Sequence, residues 1–78
     1  MANPQAESCE QLMLFAKDMI TSTTTPGELE ELLLGVLQQP EFEALSPAFV
    51  KDNIEEIHNL LGIEAEPTLI CAALGVCG

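Results

Sequence analysis

The stretch Thr25-Pro26-Gly27-Glu28-Leu29-Glu30-Glu31-Leu32-Leu33-Leu34-Gly35-Val36-Leu37 decides the fold. It opens as a capping box. The Thr25 hydroxyl can accept from the backbone amide three residues on, Glu28 can reach back to the Thr25 amide, and Pro26 fits the first helical position, where no N–H is needed. Behind this start, Leu29, Leu32, Leu33, Val36 and Leu37 recur at the spacing of one helix face, with Leu34 beside it. The pattern predicts a helix over Pro26–Gln39, ended by Pro40.

Outward from this segment the same punctuation repeats. Ser46-Pro47 and Glu66-Pro67 are further acceptor-then-proline starts, the second with a weaker cap. They predict a helix over Pro47–Leu61, with Val50, Ile54, Ile57 and Leu61 in register and Phe49 and Leu60 flanking. They also predict a last helix over Pro67–Val76, apolar nearly all round. Upstream, Cys9, Leu12, Met13, Ala16, Met19 and Ile20 predict a helix over Gln5–Thr21, whose stripe Leu14 and Phe15 widen. Thr21-Ser22-Thr23-Thr24-Thr25 is a polar linker. No run alternates with period 2, so no strand is predicted. The expectation is an all-α fold of four or five short amphipathic helices. A chain of 78 residues holds one domain, expected over 1–78 with residues 1–5 ahead of the ordered fold.

Charge narrows the function. Thirteen acidic residues face two lysines, a net charge of −11. Phosphate binding runs on Lys and Arg, so nucleic acid is excluded as a partner, and an anionic bilayer is disfavoured at neutral pH. High apolar content, 47%, separates the chain from disordered acidic segments. The longest apolar stretch, Leu69 to Cys77, is about half a membrane span. Met1-Ala2-Asn3-Pro4 lacks the pattern of a secretory leader, so the chain is either intracellular or separated from its leader. With one histidine, no tyrosine and no tryptophan, few general-base or oxyanion groups exist, and no catalytic residue, metal or cofactor is expected. His58 reads as a partly exposed position on the third helix or as a pH sensor.

The cysteines are Cys9, Cys71 and Cys77. Cys71-Ala72-Ala73-Leu74-Gly75-Val76-Cys77 places a pair of cysteines on an apolar last helix, and Cys9-Glu10-Gln11-Leu12-Met13 opens an amphipathic first one. With the helix pattern, this resembles the saposin-like (saposin B-type) family of small lipid-interacting helical domains over nearly the whole chain, from about Ala6 onward. The family's cysteine set is incomplete here. The resemblance implies a folded-leaf arrangement and a disulfide from Cys9 to Cys71, with Cys77 free. An alternative register would pair Cys9 with Cys77. Leu37 and Phe49 fall where the family's bond between the second and third helices would stand, so packing must hold that arm.

The resemblance further implies a non-enzymatic domain that binds or perturbs lipids or a membrane surface, secreted or lysosomal, with dimerisation around lipid. A pore-forming antimicrobial variant is disfavoured by the lack of a basic face. The other readings are a protein-interaction or pro-domain module without membrane activity, and an acyl-carrier-type protein. The last would need an Asp-Ser-Leu attachment site, a context that Ser8, Ser22 and Ser46 all lack. Apolar side chains exceed what a small core needs. Those expected to meet lipid are Leu14, Phe15, Met19, Leu33, Leu34, Phe49, Ile54, Ile57, Leu60, Leu61 and Leu74, with hinges at Thr21–Thr25 and Gly62–Glu66. Carboxylates lose their charge near pH 4, so lipid binding is expected to strengthen on acidification.

Overall fold

The computed structural model describes residues 3–76. It is all-helical: α1 (Pro4–Met19), α2 (Pro26–Val36), a short 3₁₀ turn (Pro40–Phe42), α3 (Pro47–Gly62) and α4 (Pro67–Ala73). Every helix starts on a proline. Asn3 caps α1 by accepting from the amides of Gln5 and Ala6, so residues 3–5 form the cap and first turn of α1 rather than a segment before the fold. The Thr25–Glu28 capping box closes in both directions, at 2.9 and 3.2 Å. The Ser46 hydroxyl accepts from the Phe49 amide at 3.3 Å. Glu66 makes no side-chain cap.

The helices end earlier or differently than periodicity predicts, each for a local reason. The Thr21 amide donates to Thr24 Oγ1 at 2.9 Å. A hydroxyl therefore replaces the next helical carbonyl, and α1 stops at Met19. Gln39 is extended ahead of Pro40, as a residue before proline must be, so the backbone leaves α2 after Val36. At the end of α3, Glu64 rather than Gly62 takes the left-handed conformation (φ 59°). Its amide donates to Leu61 and that of Ala65 donates back to Leu60, a Schellman closure with a glutamate at the usual glycine position. Gly75 (φ 83°) closes α4 in the same way, with the Val76 amide on the Cys71 carbonyl.

The helices pack as two pairs, α1 with α4 and α2 with α3, and the packing between the pairs is sparser. A disulfide from Cys9 to Cys71 staples the first pair, with Cα atoms 6.0 Å apart. Of the two pairings left open by sequence, the first is formed; Cys77 lies outside the described residues. One core serves both pairs, built on Leu12, Met13 and Ala16 of α1, Leu29 and Leu33 of α2, Val50, Ile57 and Leu61 of α3, and Ile70 of α4. Leu37 and Phe49 are half-buried against it, supplying packing on the arm where no disulfide stands.

Three positions correct the sequence reading. Leu32, placed on the buried stripe of α2, is 41% exposed. Phe42 and Leu45, between the second and third helices, are core residues. The 3₁₀ turn folds Phe42 under α1, where its ring meets Phe15 edge-on at 6.0 Å.

Candidate functional site

The residues expected to meet lipid divide into three groups. Leu14 and Phe15 are 48% and 40% exposed, because α1 already fills the core with Leu12, Met13 and Ala16 and turns these two outward. Met19, Leu34, Phe49, Ile54, Leu60 and Leu74 are half-buried and lean on the core. Leu33, Ile57 and Leu61 are buried, although Leu61 also borders an open cleft. Sequence reasoning missed three other exposed apolar residues, Leu32, Ile63 and Leu69. For Ile63 the signal was present: it follows Gly62 outside the periodic stripe of α3.

The expected hinge segments lie together. Thr21 and Ser22 from the α1–α2 connection, and Gly62 and Glu64 from the α3–α4 connection, line one open cleft of about 300 Å³ with Lys17, Ile20 and Leu61. These are the two backbone connections between the α1/α4 pair and the α2/α3 pair. Chain crossings that sit side by side define an axis about which two rigid halves can turn.

Several contacts order the chain around this cleft and at the far end of the helix pairs. The Thr21 hydroxyl shares hydrogen bonds with those of Thr23 and Thr24, at 3.1 and 3.0 Å, so the linker is a tied turn. His58, half-buried on α3, reaches the Thr24 carbonyl with Nε2 at 2.6 Å. A carbonyl only accepts, so Nε2 carries the proton. At the far end of the arm, the Ser8 hydroxyl donates to the Glu41 carbonyl at 3.3 Å beside the Phe15–Phe42 contact. These join α1 to the 3₁₀ turn like a clasp.

Acidic groups line two further clefts. Glu7, Glu10 and Glu41 line a second cleft of about 320 Å³ between α1 and the 3₁₀ turn. Glu28 and Glu31 line a third, of about 340 Å³, with Thr24 and Leu32. The Thr25 amide and side chain hold the Glu28 carboxyl below the ordinary carboxylate range. All three clefts are open to solvent, and none is an enclosed apolar chamber for an acyl chain. Among the described residues, no helix is long and apolar enough to cross a membrane, and no three His, Cys, Asp or Glu side chains are grouped to hold a metal.

Compared with protein-family models, curated proteins and solved structures, the chain matches none.

Proposed function

We propose that this protein is a small, acidic, non-enzymatic lipid-interacting domain, saposin-like in its working. In this reading the α2/α3 arm swings away from the disulfide-stapled α1/α4 pair about the paired connections, and lipid tails cover the apolar side chains that the two pairs bury against each other when closed. The observation that carries it is the juxtaposition of Thr21 and Ser22 with Gly62 and Glu64 in one cleft, with a disulfide, among the described residues, on the α1/α4 pair.

The energetics favour opening only against an apolar ligand. Exposing Leu33, Ile57 and Leu61 to water costs about 1.5–3 kcal/mol each, on the order of 5–9 kcal/mol together. A domain of this size has about 4–12 kcal/mol of stability in total. Opening in water is therefore rare, and opening against acyl chains recovers most of the cost. Charge sets the condition. At −11 the surface keeps away from anionic bilayers. As carboxylates protonate near pH 4 the repulsion fades while Leu14 and Phe15 stay outward. This suits secretion or an acidified, lysosome-like compartment.

Co-sedimentation with zwitterionic and with anionic vesicles, from about pH 7 down to about pH 4, tests the proposal. Binding should rise as pH falls, and most for anionic vesicles. Equal or weaker binding in acid would end it. One observation favours a second reading, a helical module that binds other proteins: Leu33 and Ile57 are sealed in the core. Native mass spectrometry with lipid extract separates the two, since retained lipid belongs only to the first.

A further inference from the structure

The outward face of α1 carries an inference independent of the lipid reading, because it needs the charge that acidification removes. Leu14 shares its face with Glu7, Glu10, Gln11 and Asp18, and with Lys17 on the side away from Phe15, so three carboxylates outnumber one ammonium there. Phe15 adjoins them and rests on Phe42. Beside this stripe runs the cleft between α1 and the 3₁₀ turn, rimmed by Glu7, Glu10 and Glu41. From residue 7 to residue 15 the face extends about 12 Å, roughly two helical turns.

We propose that this face docks a basic amphipathic helix of a partner protein, seating its apolar residues on Leu14 and Phe15 and its Lys or Arg side chains against the carboxylate rim. Charge complementarity selects this occupant. A second copy of the chain brings the same carboxylates and the same −11 charge, so a face-to-face dimer is repelled at neutral pH. An anionic bilayer is repelled likewise. An acidic or neutral helix leaves the rim unpaired. A basic helix satisfies both the apolar centre and the charged edge, in the helix-in-groove mode.

The test is an NMR titration of the full chain at about pH 7, where the carboxylates are charged. The probe is a synthetic helix of leucines at i, i+3, i+4 and i+7 with lysines elsewhere. The amides of α1 and the 3₁₀ turn should shift. Leu14→Ser should weaken affinity at least about tenfold, and the triple change Glu7→Gln, Glu10→Gln, Glu41→Gln by a similar factor. Raising salt from about 0.05 to 0.5 M should weaken it about tenfold. Leu69→Ser on α4, exposed and equally apolar, should leave affinity within about twofold. Leu14 is half exposed, so its variant is expected to fold; Phe15→Ser is avoided because Phe15 supports Phe42.

No binding, shifts spread over every acidic face, or equal loss in Leu69→Ser would overturn the proposal. So would self-association that depends on Leu14, or displacement of the peptide by zwitterionic vesicles at the same pH. These assign the face to a second copy or to lipid. Failure of this titration leaves the acid-pH vesicle result untouched, so the two proposals fall separately.

Discussion

Replacing Cys9 and Cys71 together by alanine removes the covalent tie between α1 and α4. The two residues are 62 apart in sequence. In the chain-entropy account, closing a loop of that length removes about 4 kcal/mol of freedom from the unfolded chain. Both cysteines are buried, so the missing sulfurs add a packing cost. Against a total stability of about 4–12 kcal/mol the loss is large. At a urea slope of about 1 kcal/mol per molar, it moves the unfolding midpoint down by about 4 M or leaves the variant unfolded in buffer. Urea titration followed by circular dichroism, with and without reductant, is the assay. Reduced wild type, which keeps its sulfurs, should unfold between oxidised wild type and the double variant. A midpoint shift under about 1 M would refute the reasoning, showing that packing alone holds α1 on α4 and that the staple does not distinguish the two helix pairs.

Four more changes probe the packing and the caps. Phe42→Ala should cost about 3–5 kcal/mol in urea unfolding, since it empties a core site and removes the ring partner of Phe15. Glu64→Gly should stabilise by about 0.5–1 kcal/mol: relief of the left-handed strain of about 1–2 kcal/mol exceeds the added backbone entropy of about 0.4–1. Glu64→Ala should not, because alanine is strained at the same φ. Glu28 has a lowered folded-state pKa, so its contribution is present above its ordinary value of 4.5 and is lost as pH falls through the folded one. Thermal melts of wild type and Glu28→Gln should differ at neutral pH and converge in acid.

The starts of α2 and α3 were legible in the sequence because each rests on a short-range device, whereas the Asn3 cap of α1 was not read. The Thr25–Glu28 box and the Ser46 cap form as read. Helix ends were less legible, because they turn on one backbone choice. The amide of Thr21 takes a neighbouring hydroxyl, and Glu64 accepts a left-handed φ that composition assigns to glycine. The Phe42 turn was missed for a different reason: a single apolar residue between Pro40 and Pro47 has no periodicity to reveal it, and its burial depends on where α1 lies. At the candidate site, Leu14 and Phe15 stand outside the narrow stripe and are exposed. Leu34, Phe49 and Leu60 stand outside it too, yet thicken the core. Periodicity orders residues around one helix but does not say how widely its neighbours cover it, which is also why Leu32 was misplaced.

Lipid contact by residues now buried is the central claim, and paramagnetic broadening tests it most directly. The uniformly labelled protein is mixed with anionic lipid nanodiscs bearing an acyl-chain spin label, at about pH 4.5 and about pH 7. The account predicts that in acid the methyl signals of Leu33, Ile57 and Leu61 broaden together with that of Leu14, and that at neutral pH all four stay sharp. Broadening of Leu14 alone, or of none, at the lower pH would contradict it.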